Sequence, residues 1–197
     1  DRRLFPTKGH EFFAEGGIAF HRKADMEGYN SEGTTVDVSD YVDGQPEFYR
    51  IMLNFSRFHT LIPRLVFLYN LQAGLILNSD GFIFDNYYMG GVQKLYKRQM
   101  PFVGIYESQI ISSSTSSVMF GMQYNFAGKF FLTGKVNTGI YDFTTKDKLY
   151  DSEKVQLING ASLGIGYNLD LLPMEINSMY SPEIGALYTH IKIGVLF

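Results

Sequence analysis

Ser117-Val118-Met119-Phe120-Gly121-Met122-Gln123-Tyr124-Asn125-Phe126-Ala127, then Gly128-Lys129, then Phe130-Phe131-Leu132-Thr133-Gly134-Lys135-Val136-Asn137-Thr138-Gly139-Ile140-Tyr141-Asp142, is the stretch whose reading decides the fold. In its first half Val118, Phe120, Met122, Tyr124 and Phe126 alternate with Gly121, Gln123 and Asn125. In its second half Phe130, Leu132, Val136 and Ile140 alternate with Thr133, Lys135 and Asn137. A period of two puts each set on one face of a β-strand, whereas a helix would need a period of 3.6. The apolar set is bulky and the polar set is small, short-chained or glycine. Both runs exceed ten residues. Strands of soluble proteins average about 5–6 residues, and tilted membrane-spanning strands need about 9–11. The stretch therefore predicts a hairpin of spanning strands joined by a short turn at 127–129.

The same alternation extends in both directions. Tyr49, Ile51, Leu53 and Phe55 oppose Arg50, Asn54 and Ser56 in 48–58. Phe67, Tyr69, Leu71, Ala73, Leu75 and Leu77 oppose Asn70, Gln72 and Gly74 in 65–77. Ala161, Leu163, Ile165, Tyr167 and Leu169 oppose Ser162, Gly164, Gly166 and Asn168 in 157–169. Leu187, Ile191, Ile193, Val195 and Phe197 oppose His190, Lys192 and Gly194 in 186–197. Weaker strands are expected at 10–21, with Phe12, Ala14, Ile18 and Phe20 outward, and at 173–180, with Met174 and Ile176 outward. The connections at 61–64, 127–129 and 170–173 are short; those at 22–46, 80–115 and 143–156 are long. Short and long alternate up to the brief last loop at 181–185, as short periplasmic turns alternate with longer external loops in outer-membrane barrels. The fold class is therefore all-β, an antiparallel transmembrane β-barrel with eight strands in view. A soluble β-sandwich or lipocalin-like barrel also alternates, but its outward face should be polar.

Composition agrees. Charged residues make up only 19% and aromatics 16%, with 14 Tyr and 17 Phe. No run of about 18 apolar residues is present, so no transmembrane helix is available. Mean hydropathy is −0.07, which a barrel attains by averaging its lipid-facing and interior faces. The net charge of −3 and the lack of a basic stripe argue against a nucleic-acid partner. With no cysteine there are neither disulfides nor thiolate metal sites, and no cofactor is expected. Asp1 follows no signal peptide, so the chain is expected to be part of a longer protein.

Candidate chemistry is sparse. Gly160-Ala161-Ser162-Leu163-Gly164 matches G-x-S-x-G, but a nucleophile elbow needs a strand-to-helix turn and here the alternation simply continues. No catalytic residue is assigned, and the chain itself is expected not to be an enzyme. His10, His21, His59 and His190 lack the spacing of a metal site. Asp25, Glu27, Glu32, Asp37, Asp40, Asp43 and Glu47 are dense enough for a hard cation but read more simply as a solvated loop. Loop 80–115 is too long and apolar for an ordinary external loop. It carries Gly90, Gly91, Lys94, Lys97 and Arg98, and is expected to fold into the barrel interior, with a ninth strand at 100–111 as the alternative.

Asp1-Arg2-Arg3-Leu4-Phe5-Pro6-Thr7-Lys8-Gly9 resembles the Asp-Arg…Phe-Pro-Thr-x-Gly turn of the bacterial surface antigen barrels, the superfamily of outer-membrane insertases and two-partner translocases. Tyr88-Met89-Gly90-Gly91 is similar to the Gly-Gly that opens that family's interior loop. The ending Ile191, Ile193, Val195, Phe197 resembles the terminal strand that the barrel-assembly machinery reads. The resemblance implies a sixteen-stranded barrel of which this chain, as a single domain over 1–197, supplies the carboxy-terminal eight strands. It also implies a bacterial outer-membrane location, with membrane lipid and the rest of its own chain as partners. Val92-Gln93-Lys94-Leu95-Tyr96-Lys97-Arg98-Gln99 departs from the insertase pattern by lacking an Arg-Gly pair. That departure, with Met100-Pro101-Phe102-Val103-Gly104 and Phe120-Gly121-Met122, is most similar to the barrels attached to patatin-like phospholipases, whose catalytic Ser–Asp dyad would lie upstream. The expected function is thus the anchor or pore of such an enzyme. The alternatives are an insertase or translocase barrel, or a complete eight-stranded structural or adhesive barrel.

Overall fold

A computed structural model of the chain describes residues 5–20, 27–29, 31, 33–37, 47–78, 85–145, 148–169 and 172–194. Eight long strands form one sheet: β1 (Gly9–Ala19), β4 (Phe48–Ile62), β5 (Leu65–Leu77), β9 (Ser114–Ala127), β10 (Phe130–Tyr141), β11 (Gln156–Tyr167), β12 (Met174–Ser181) and β13 (Ala186–Ile193). Their spatial order is their chain order, and every pairing is antiparallel. Two smaller sheets interrupt the series: a hairpin of β2 (Glu27–Tyr29) and β3 (Thr35–Asp37), and a three-stranded sheet of β6 (Tyr87–Met89), β7 (Gln99–Met100) and β8 (Ile110–Ser112) in the order β7-β6-β8. Among the described residues no ladder joins β1 to β13, so the large sheet is open at both edges.

All eight expected strands are present. β4 runs four residues past the expected end at 58, because the turn needs only Pro63 and Arg64, with Arg64 in the left-handed region at φ 73°. Gly128 takes the same region at φ 65° in the β9–β10 turn. At each short turn a carbonyl is taken up by a more distant strand: Asn125 N–H donates to Arg64 O at 2.8 Å, Asn168 N–H to Lys129 O at 2.7 Å, and Gly194 N–H to Pro173 O at 2.8 Å. These carbonyls, two of them on the exposed residues Arg64 and Lys129, thus tie each turn to the next strand of the sheet. The β2–β3 hairpin lies within what reads from sequence as loop 22–46; its three-residue strands are too short to show a period.

The two faces of the large sheet separate as the alternation requires. One face exposes large apolar side chains, among them Phe12 at 68%, Leu163 at 62% and Leu187 at 71% exposure. The other is buried and largely polar or small, with Asn70, Gln72, Gln123, Thr133, Asn137, Ser162, Glu175 and Asn177 all below a tenth exposed. This inner face is covered by the segment between β5 and β9. That insert reaches every strand of the sheet. Lys97 pairs with Glu15 of β1, Tyr87 bonds to Ile51 of β4, and Met100 abuts Gly74 of β5 and Thr115 of β9. Phe102 lies against Gly139 of β10, Val103 against Gly160 of β11, Gly104 against Tyr180 of β12, and Tyr106 against Tyr188 of β13. The contacts pass from β1 at Lys97 to β13 at Tyr106, so the insert lies across the whole width of the inner face.

Candidate functional site

Among the described residues the insert is the longest stretch that leaves the meander and packs on the inner face. It begins at Asp85 among the described residues and returns to the sheet at Ser114. Residues 100–111 contribute only one residue to β7 and two to β8, and none to the eight-stranded sheet. Two apolar clusters anchor it. Tyr87 and Met100 pack with Phe48, Met52 and Ile76 of the sheet. Met89, Phe102, Ile105 and Ile110 pack with Ile158. Full burial of a side chain of this size contributes about 1.5–3 kcal/mol, so these contacts outweigh any single polar contact in holding the insert.

Gly90 and Gly91 lie where the chain is squeezed between two stretches of the insert. Gly90 N–H donates to Met100 O at 3.1 Å and Gly91 N–H to Ile105 O at 3.2 Å. Their φ values of 139° and 81° are ones that L side chains rarely adopt, and a Cβ on Gly90 would meet Tyr106 O. Lys94 lies outside this knot, its ammonium 5.1 Å from the centre of the Phe13 ring. Lys97 pairs with Glu15 at 2.9 Å; the same carboxylate takes Arg50 at 3.0 Å, so one acid on β1 holds a cation from the insert and another from β4. Arg98 offers its carbonyl to Tyr88 N–H at 3.2 Å.

Gln99 shows no signal in the sequence, yet it organises the turn. It is fully buried, its amide donates to Gly90 O at 3.0 Å, and its side-chain oxygen accepts Leu95 N–H at 2.7 Å. Tyr87 is likewise fully buried and donates its hydroxyl to Ile51 O at 2.7 Å; burial pushes its pKa well above that of a free tyrosine. On the far side Glu107 lies 3.5 Å from His190 Nε2. At the opposite end of the inner face Phe5, ahead of β1, stacks on Phe131 with ring centres 4.4 Å apart and fills the space over Gly166.

The remaining sequence candidates fall as follows. Ser162 lies in mid-strand on β11 with no helix after it, so the G-x-S-x-G match lacks the elbow it would need. Gly160 of the same match is where Val103 O approaches the sheet, and a Cβ there would collide with it. Among the described residues no three His, Asp or Glu side chains come together as a metal site. Most of the acidic loop, with Asp25, Glu32, Asp40 and Asp43, lies outside the described residues, as do His21, Val195 and Phe197. Ile191 and Ile193 stand exposed on the outer face of β13.

A search of curated proteins found no match to this chain. A family model described as the OMP85 superfamily matches residues 2–197. The match runs through all eight strands and the insert, and on it the chain belongs to the OMP85 superfamily, whose members are associated with the outer membrane.

Proposed function

We propose that this chain is the membrane-embedded carboxy-terminal half of an outer-membrane barrel of the insertase or translocase kind, with the insert lying in its interior. The observation that carries the reading is the outer face of the sheet. Large apolar side chains are exposed there on all eight strands, from Phe12 through Leu53, Leu71, Phe120, Leu132, Leu163 and Ile176 to Leu187. Soluble monomers rarely expose an apolar patch beyond a few hundred Å², so this face calls for lipid. Its height fits. Tyr49 pairs with Leu77 and Tyr124 with Leu65, twelve residues apart along β5. At about 3.4 Å per residue and a tilt near 40°, the two aromatic levels stand roughly 30 Å apart, close to a bilayer's hydrocarbon thickness. Tyr124, Phe126, Phe130 and Tyr167 gather at the short-turn level, as the aromatic girdles of such barrels do.

The open edges support the larger barrel. Unpaired backbone groups of β1 and β13 in lipid would cost several kcal/mol each. Eight further strands of the same protein, as the surface antigen pattern implies, would pair them. Outer-membrane lipid and the assembly machinery are then the expected partners, with Ile191 and Ile193 among the residues the machinery reads. A second reading, the anchor of a patatin-like phospholipase, is favoured by the tip of the insert. There no Arg-Gly pair occurs between Val92 and Gln99.

Proteoliposomes holding the protein purified from membranes test both levels. A fluorophore on Leu163→Cys should be quenched by nitroxide lipids and one on Asn54→Cys should not; equal quenching would remove the membrane reading. An unfolded outer-membrane substrate should then fold faster in these vesicles than in empty ones. No acceleration, together with release of fatty acid from the lipid, would favour the anchor.

A further inference from the structure

Beneath the insert, towards the short turns, a cavity of about 360 Å³ opens on the inner face. Three lysines from three separate elements line it: Lys94 of the insert, Lys135 of β10 and Lys192 of β13. The acids that face them are Glu11 and Glu175. Glu175 accepts a hydrogen bond from Thr133 on Oε1 at 2.7 Å. Lys192 is its cross-strand neighbour, yet among the described residues neither Lys192 nor Lys135 forms an ion pair within 4.0 Å. Three ammonium groups face two carboxylates here, and two of the ammonium groups, on Lys135 and Lys192, close no ion pair, so an entering anion offsets part of the cost of sheltering them. The rest of the wall is not built for water alone, for Phe5 and Phe58 give it an apolar side. The volume is that of a small-molecule pocket, well beyond what a single inorganic ion fills.

We propose that this cavity binds a phosphate-bearing anion, its oxygens taken by Lys135 and Lys192, with Lys94 closing from the insert and the apolar wall covering the remainder of the molecule. The proposal rests on the inner face being sheltered from lipid, but it adds a ligand site to that face which the barrel reading does not require. It also gives the insert a second duty: the element that fills the interior supplies one of the three cations, so ligand and insert hold each other in place.

The test uses the protein purified from membranes in detergent, its folding verified by anomalous gel migration before boiling. Two probes are titrated calorimetrically, inorganic phosphate and dihexanoylphosphatidic acid. Saturable binding of either is expected, weakened about tenfold or more in K135Q/K192Q and unchanged in K154Q, a lysine remote from the cavity. Binding of both would show that a free phosphate suffices, and binding of the lipid alone that a phospholipid headgroup is the source. The substitutions remove charges that close no ion pair and keep a hydrogen-bonding side chain of similar length, so the fold is expected to survive them. No saturable binding by folded protein, or equal affinity in K135Q/K192Q, would mean an adventitious ion only and would overturn the proposal. The quenching experiment on Leu163→Cys is scored separately, so loss of the membrane reading and loss of this site are told apart.

Discussion

Gly160 carries more of this structure than its size conveys. The insert's backbone comes down on the sheet at that point, with Val103 O over the glycine and Gly104, at φ 105°, beside it. Gly160→Val should force the two apart at a cost of about 1–3 kcal/mol, typical of overpacking. Urea unfolding should show the loss, and protease cleavage within 103–108 should become faster. Glu15 is the corresponding residue on the polar side. Glu15→Ala leaves Arg50 without its carboxylate on a face only 26% exposed, and frees Lys97 as well. A loss of about 1–3 kcal/mol is expected, the range for hydrogen bonds to charged groups. Arg50→Ala should cost more than Lys97→Ala, because Lys97 is already 68% exposed and its half of the bridge is screened by water.

At the scale of elements, the β12–β13 turn shows how a short loop is pinned. Glu183 accepts from Asn159 N–H at 3.1 Å, Asn159 Nδ2 at 2.7 Å and Ser181 Oγ at 3.0 Å. Slight burial raises its pKa, but these donors outweigh that and hold it below the usual glutamate value. A carboxylate lowered on folding adds stability that is present above its unfolded pKa, about 4.3, and is lost as pH falls through the folded value. Hydrogen exchange at Asn159 should therefore quicken as pH drops below about 4 relative to the intrinsic rate; in Glu183→Gln the local protection should be weaker at neutral pH and change little with acid. The insert is the less legible element. Strands such as β5 and β10 were readable because a period of two over ten or more residues has no competing reading. Gly90 and Gly91 were singled out only through their resemblance to the Gly-Gly that opens the family's interior loop. Gln99 was not, because nothing local distinguishes a glutamine that bonds to a turn four residues back from one in solvent. The Glu15–Lys97 bridge and the Gly160 contact join residues dozens of positions apart, and no periodicity within one strand specifies which strand an insert will touch. Gln99→Ala should loosen the turn while leaving the eight-stranded sheet intact, seen as faster exchange at Leu95 with unchanged protection in β10.

At the scale of the molecule, the open edges carry the prediction. Residues 1–197 alone, diluted from denaturant into detergent or lipid vesicles, should fail to give a heat-modifiable, protease-resistant band. Co-refolding with the eight further strands proposed above should restore it. A resistant band from the isolated chain would mean that β1 and β13 find each other and that eight strands suffice. The alternation separated an apolar outer face from a polar inner face but held no comparable sign of closure, because pairing between the first and last strands depends on curvature and stagger rather than on side-chain pattern.

The position of the insert also has a kinetic side. Within β9 through β13 each strand follows its partner in the chain, and β4 and β5 are joined by two residues, so these ladders close over short distances. The β5–β9 ladder must wait for the ends of a 36-residue excursion, from Leu77 to Ser114, to meet. Loop closure of that kind slows folding through its entropy. The insert itself shortens the search, since Met100 touches both Gly74 of β5 and Thr115 of β9. Two hairpin arrays that mature early and are then drawn together by a collapsing insert is the order of events this connectivity favours. Substitutions in the β9–β10 turn, formed early, and at Tyr87 or Met100, engaged as the ladder closes, should accordingly slow refolding with little change in the unfolding rate; a turn substitution that acted mainly on unfolding would contradict this order.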